Sequence, residues 1–169
     1  MHVNSDMYRK GEYLMIITEI NGKNFIFGQV IKDNGFCKIP YYPLGGGRDI
    51  GEENSLNREV LEEIKLDLSP FRKKIIKYGN LVRKRKFERD GNIYSGLWME
   101  LYILVAEDKK LLLHLDKIQL NKDFIWFDLD KVIHSSRPKD ENECSSPLIN
   151  IISWNNFCIQ NKLNNFRIN

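Results

Sequence analysis

The sequence predicts an α/β fold. Two strand pairs are joined by tight-turn dipeptides, an acidic amphipathic helix lies between them, and apolar residues recur at helical spacing near the C-terminal end. Residues 13–18 and 25–31 are rich in β-branched and aromatic residues and flank Asn21-Gly22, a dipeptide suited to the positive φ angles of a tight hairpin. A loop and short strand over 36–43 then lead into Gly45-Gly46-Gly47. A helix follows. It should begin near Ser55, capped by Asn54 or Ser55, and end over 66–69, where Pro70 forbids continuation. Residues 75–87 and 94–105 surround Asp90-Gly91 and predict a second, longer hairpin. In its second arm Leu97, Met99, Leu101, Ile103 and Val105 share one face, and Trp98, Glu100, Tyr102 and Leu104 the other. Residues 124–129 make a further strand. Leu148, Ile151, Ile152, Ile159 and Leu163 mark a closing helix over 147–163 that should cover the sheet. The polar, proline-containing stretch 135–146 is expected to be a loop, and the chain has no internal repeat.

A chain of 169 residues with 42% hydrophobic content can bury a substantial core, which predicts one domain over 1–169. A formal charge of +3 and a pI of about 8.7 allow weak attraction to phosphate but lack the footprint of a dedicated nucleic-acid binder. Cys37, Cys144 and Cys158 are odd in number and lack the C-x-x-C spacing, so neither a disulfide framework nor a zinc site is expected. His2, His114 and His134 are scattered and suggest no site. The first residues lack the pattern of a signal peptide, and no apolar run reaches the length of a membrane span. A soluble protein of the reducing cytoplasm is the expectation.

The chemistry concentrates in the first helix. At 3.6 residues per turn Glu59, Glu62 and Glu63 fall on one side, while Leu56, Val60, Leu61 and Ile64 fill the complementary arc. Neighbouring like charges on a helix repel by a few tenths of a kcal/mol per pair, and hard oxygen donors suit Mg2+ or Mn2+ as the compensating cation. By itself a charge-rich helix is ordinarily a solvated face.

What precedes the helix changes that reading. Gly46 and Glu52, followed by Arg58-Glu59-Val60-Leu61-Glu62-Glu63 and the aliphatic Leu66, resemble the signature box of the Nudix hydrolases. There the order is glycine, five residues, glutamate, seven residues, then Arg-Glu-aliphatic-x-Glu-Glu-x-Gly-aliphatic. This chain departs in two places: five residues, not seven, separate Glu52 from Arg58, and Lys65 stands where the family has glycine. The first shortens the entry to the helix, and the second removes a residue that adopts positive φ easily. Trp126-Phe127-Asp128-Leu129 is similar to a tryptophan element of many family members, although a strand tryptophan is more often simply core.

The resemblance implies an α/β/α sandwich with a mixed central sheet from about Glu12 onward. It also implies metal-dependent cleavage of the diphosphate linkage in a nucleoside diphosphate derivative or nucleoside triphosphate, by water attack at phosphorus. Arg58, Glu59, Glu62 and Glu63 are the implied catalytic set, with Arg58 orienting a carboxylate. Glu59 and Glu63, one turn apart, are the implied metal ligands, joined by Glu62, the Gly46 carbonyl and, less securely, Glu52. Gly45, Gly46 and Gly47 would lie against substrate, or serve only as a tight turn. The general base lies either on the box helix or outside it, where Asp123 and Glu100 are candidates.

Arg83-Lys84-Arg85-Lys86 and Arg89 sit at the tip of the longer hairpin. They read as edge-strand protection at least as well as a phosphate or RNA contact. The expected partner is a small nucleotide, with a polynucleotide less favoured and no membrane; the sequence leaves the oligomeric state open, a homodimer included. Two alternatives carry weight. One is a weakly active Nudix-like binding or regulatory module, and the other a pyrophosphohydrolase of RNA 5′ ends, for which salt-dependent binding through Arg83 and Arg85 is the discriminator. The base, sugar and leaving moiety have no diagnostic motif.

Overall fold

The computed structural model describes residues 7–29, 31–33, 36–38, 44–49, 51–121, 124–135 and 151–168. Asp123, Cys144, His2 and Leu148 lie outside them. The order of elements is β1 (Tyr8–Ile20), β2 (Lys23–Gln29), β3 (Ile31–Asp33), β4 (Phe36–Lys38), β5 (Leu44–Gly47), α1 (Ser55–Ile64), a 3-10 turn (Ser69–Lys74), β6 (Ile76–Arg89) and β7 (Asn92–Val105). Then come α2 (Lys109–Asn121), β8 (Phe124–Asp128), α3 (Leu129–Ser135), α4 (Ile151–Gln160) and a 3-10 turn (Asn164–Phe166). The class is α/β, as predicted. No helix among the described residues is long and apolar enough to cross a membrane.

The chain divides into two compact units, Met1–Leu14 with Leu44–Tyr102, and Met15–Pro43 with Ile103–Asn169. In the first, β5 runs antiparallel to the start of β1, from Gly11 opposite Gly47 to Leu14 opposite Leu44. Helix α1 buries Leu56, Val60 and Ile64, and it joins Leu14, Leu44, Leu66, Leu68, Met99 and Leu101 in the core. Leu61 is 45% exposed and is not part of the apolar arc expected of it. The helix ends earlier than Pro70 required. Lys65 adopts the left-handed conformation, φ 55° and ψ 32°, and its N–H closes on the Leu61 carbonyl at 2.9 Å. Pro70 instead occupies the first turn of the 3-10 segment, where its missing N–H costs nothing. The β6–β7 hairpin turns at Asp90 and Gly91, φ 52° and 76°.

In the second unit, the rest of β1 pairs antiparallel with β2 through the Asn21-Gly22 turn, φ 51° and 76°. Strand β2 pairs antiparallel with β8, and Phe27 stacks on Phe124 at 5.4 Å and meets Trp126 edge-on at 5.1 Å. The Ala106 N–H donates to the Ile17 carbonyl, and the buried Thr18 hydroxyl donates to the Ala106 carbonyl, each at 2.8 Å. In the first unit Ser95 N–H donates to the Met7 carbonyl at 2.7 Å. The sequence offset stays nearly constant along β1, so β7 runs parallel to it, while β2 and β5 run antiparallel. The sheet is mixed, as expected.

Helix α2 is an element that the sequence reading passed over. Asp108 caps it, accepting from the N–H groups of Lys110 and Leu111 at 2.8 and 3.1 Å, and Leu111 and Leu115 are buried one turn apart. The closing helix ends at Gln160, short of the predicted Leu163. Its buried residues are Trp154, Phe157 and Cys158, whereas Ile152 and Ile159 are 71% and 50% exposed. Trp154 Nε1 donates to the Phe166 carbonyl at 2.7 Å, and Asn155 both donates to and accepts from the Ile168 backbone at 2.7 and 2.8 Å.

Candidate active site

All of the box residues described belong to the first unit. The glycine run is not a tight turn: Gly45, Gly46 and Gly47 belong to strand β5. The reason is crowding. A Cβ on Gly46 would stand 2.7 Å from the Glu59 carboxyl carbon, and one on Gly47 would meet the Arg9 guanidinium. Gly45 has φ 132°, where a side chain would drive into the backbone of β1. A strand stripped of side chains lets the acidic face of α1 lie directly on backbone. Glu59 therefore rests against Gly46, and Glu63 Oε2 accepts the Gly45 N–H at 3.2 Å.

Arg58 gathers the remaining acids. Its Nε and Nη2 donate to the two oxygens of Glu52 at 2.5 and 3.2 Å, a forked pair. Nη2 also lies 3.2 Å from Glu59 Oε1 and donates to the Gly47 carbonyl at 3.4 Å, while Nη1 reaches Glu62 at 3.5 Å. The shortened spacing thus still delivers Glu52 to the cluster. A tight turn does it: the Asp49 N–H donates to the Glu52 carboxylate, the Glu52 N–H to the Asp49 carbonyl, both at 3.1 Å, and Gly51 takes φ 79°. The Arg58 hydrogen bond, with the Asp49 N–H behind it, holds the Glu52 carboxyl below its ordinary range. The same contact pushes the Arg58 guanidinium further up.

Helix α1 begins at Ser55, as predicted, but neither Asn54 nor Ser55 caps it with a side chain. The cap comes from β1. Glu12, opposite Gly46 in the strand register, accepts the Leu56 N–H at 3.2 Å and lies 3.9 Å from Arg48. A carboxylate at the positive end of a helix is favourable. Asn54 Oδ1 is occupied by Arg72 at 3.2 Å instead. Glu12 was missed in the sequence, where its only signal was a charge opening an otherwise apolar strand. A cleft of about 510 Å3 lies beside this cap, lined by Glu12, Asn54, Asn57, Arg72 and Tyr102 over Leu56 and Leu68.

Glu100, one of the two external base candidates, accepts the Tyr102 hydroxyl at 2.9 Å and faces Lys77 at 3.7 Å. Burial, and then Glu100, push the Tyr102 phenol up to about 12. Lys84, Arg85, Lys86 and Arg89 are exposed on β6, and the Arg83 side chain lies outside the described residues. Among the described residues, no three Asp, Glu, His or Cys side chains converge on one point that could hold a metal ion.

No protein-family model and no curated protein matches the sequence. Solved structures do. The chain is similar to the Ap4A hydrolase of C. elegans, at 19% identity over 76% of this chain and 86% of that one, with a TM-score of 0.43. It is similar to a mutT/nudix family protein of Listeria innocua, at 17% identity over 76% and 83%, with a TM-score of 0.45. A third is the NUDIX domain of Shewanella oneidensis NrtR solved with ADP ribose, at 11% identity over 76% and 78%, with a TM-score of 0.42.

Proposed function

We propose that this protein is a Nudix-type, metal-dependent pyrophosphohydrolase. It would cleave the diphosphate linkage of a nucleoside diphosphate derivative or nucleoside triphosphate by water attack at phosphorus. One observation carries the reading: the acidic face of α1 lies on a side-chain-free strand, with Glu59 on Gly46, Glu63 on the Gly45 N–H, and Arg58 joining Glu52, Glu59 and Glu62. A helix that was merely solvated would have no use for a glycine beneath Glu59 and a strand amide on Glu63.

The donor set fits a hard divalent cation in kind, since it offers only oxygens: the carboxylates of Glu59, Glu63 and Glu62 and the Gly46 carbonyl. Glu59 and Glu63 would hold Mg2+ or Mn2+, and when bound the ion supplies charge neutralisation and a more acidic water. The contacts that compete are the weaker ones. Arg58 holds Glu59 at 3.2 Å and the 61%-exposed Glu62 at 3.5 Å, against the forked grip on Glu52. Arg58 and Glu52 therefore act as a positioning pair, keeping the guanidinium over the entry of α1 while the other acids stay available. Glu52 would contribute less to metal affinity than Glu59 or Glu63.

Incubation with a panel of nucleotides and Mg2+, followed by product analysis, tests activity and the bond broken together. Glu63→Gln should keep the fold and lower turnover by about 100-fold or more, as expected when a group that stabilises the transition state is lost. Near wild-type turnover would sink the assignment. In metal titrations Glu59→Gln should lose more affinity than Glu52→Gln, and the reverse order would make Glu52 a ligand.

A further inference from the structure

Residues 80–95 form the outer part of the β6–β7 hairpin, and none of their described side chains is buried. Side chains left in water gain little from burial, so packing does not account for their identity. The segment carries Arg83, Lys84, Arg85, Lys86 and Arg89 against Glu88 and Asp90, five cations less two anions. That formal charge of +3 equals the net charge of the whole chain. Alternation places Arg85, Phe87 and Arg89 on one face of β6. Phe87 stacks on Tyr94 of β7 with centroids 5.2 Å apart and planes at 22°, which sets Tyr94 on that face, and Trp98 follows by the same alternation. Arg85 and Arg89 are exposed, and Phe87, Tyr94 and Trp98 are each partly exposed.

We propose that this face binds single-stranded nucleic acid, with Arg85 and Arg89 against phosphates and Phe87, Tyr94 and Trp98 receiving bases. Edge protection explains cations on an outer strand, but not three partly exposed aromatics interleaved with them. Interleaving is what a stacking platform on a positive track requires, because every base offers a π-face and every linkage a charge. A second copy of this chain suits the face poorly, since it would bring like charges together. A duplex keeps its bases stacked on one another and would use only the cations. The proposal does not depend on the hydrolase reading.

Fluorescence anisotropy with a labelled oligouridine of about 20 nucleotides, longer than one site size, tests it alongside a duplex of equal length. The single strand should bind more tightly. The Arg85→Gln, Arg89→Gln double variant should flatten the slope of log K against log salt by about 1.4, at about 0.7 per phosphate contact on a single strand. Tyr94→Leu should weaken binding about tenfold and leave that slope unchanged. Trp98→Leu serves as the second aromatic variant should loss of the Phe87 stack unfold the hairpin, with circular dichroism reporting the fold. No saturable binding at low salt, aromatic variants that bind like wild type, or sedimentation showing that the substitutions dissolve a dimer would each overturn the proposal. Nucleotide hydrolysis is not part of the readout, so either reading can fail without the other.

Discussion

Helices α1 and α4 are each ten residues long, yet they are held in place by different physics. Helix α4 buries Trp154, Phe157 and Cys158, and it makes neutral hydrogen bonds to the backbone at Phe166 and Ile168. Helix α1 also buries one stripe, but its remaining face is fastened by charge: Glu12 at its N-terminus, Arg58 across three carboxylates, and Glu63 on a strand amide. Apolar burial is insensitive to pH and leaves nothing free for a ligand. Charged contacts at a partly exposed surface are individually weak and can be exchanged for others. The contrast separates a helix built to stay from one whose fastenings can be re-used in chemistry.

The comparison breaks first at Trp154. Trp154→Ala should destabilise the protein by about 3–5 kcal/mol, as large-to-small changes in a core do, read as the urea midpoint. A loss under about 1 kcal/mol would mean that α4 is no anchor. Gly46→Ala comes next, at about 1–3 kcal/mol for overpacking, because its methyl group must displace the Glu59 carboxylate. Hydrolysis should fall with it, and an unchanged rate would detach Gly46 from the site. Lys65→Gly acts in the other direction, adding about 1 kcal/mol by relieving the left-handed conformation, φ 55°, that lysine holds at the end of α1.

The smallest effect sharpens the contrast most. The Glu52 carboxyl is held below its ordinary value, chiefly by Arg58. A depressed carboxyl stabilises the native state fully above the unfolded pKa, and the contribution disappears as pH falls through the native one. Wild type and Glu52→Gln should therefore differ in urea midpoint near neutrality and converge in acid. The midpoint of Trp154→Ala should stay offset from wild type by the same amount throughout.

The strand pairs, the mixed α/β class and the start of α1 were legible because each has a local cause, namely the two turn dipeptides, alternation in β7 and a helical period after Ser55. Misses arose where a distant partner overrides the local signal. Asn54 looks like the cap of α1, yet Glu12, 44 positions before the Leu56 N–H it accepts, does the capping. A run of glycines looks like a loop, but pairing with Gly11–Leu14 makes it a strand. Leu61 fits the apolar arc by period and still faces water. In α4 the branched residues at helical spacing suggested the buried face, whereas the aromatic pair Trp154 and Phe157, ring centroids 6.0 Å apart, determines it. Helix α2 was missed because its leucines follow a strand-like run; only Asp108, which caps it, signalled the change.

Cys158 gives the second unit a clock. Its side chain is fully buried, and burial pushes the thiol up to about 11 against the mild opposing pull of Arg167. A thiol that is both covered and protonated at neutral pH does not react from the closed state. Labelling at Cys158 must therefore wait for the packing around Trp154 to open. With Cys37 and Cys144 replaced by serine, the ratio of its alkylation rate to that of a free thiol measures how often α4 lets go. No unfolding agent is needed.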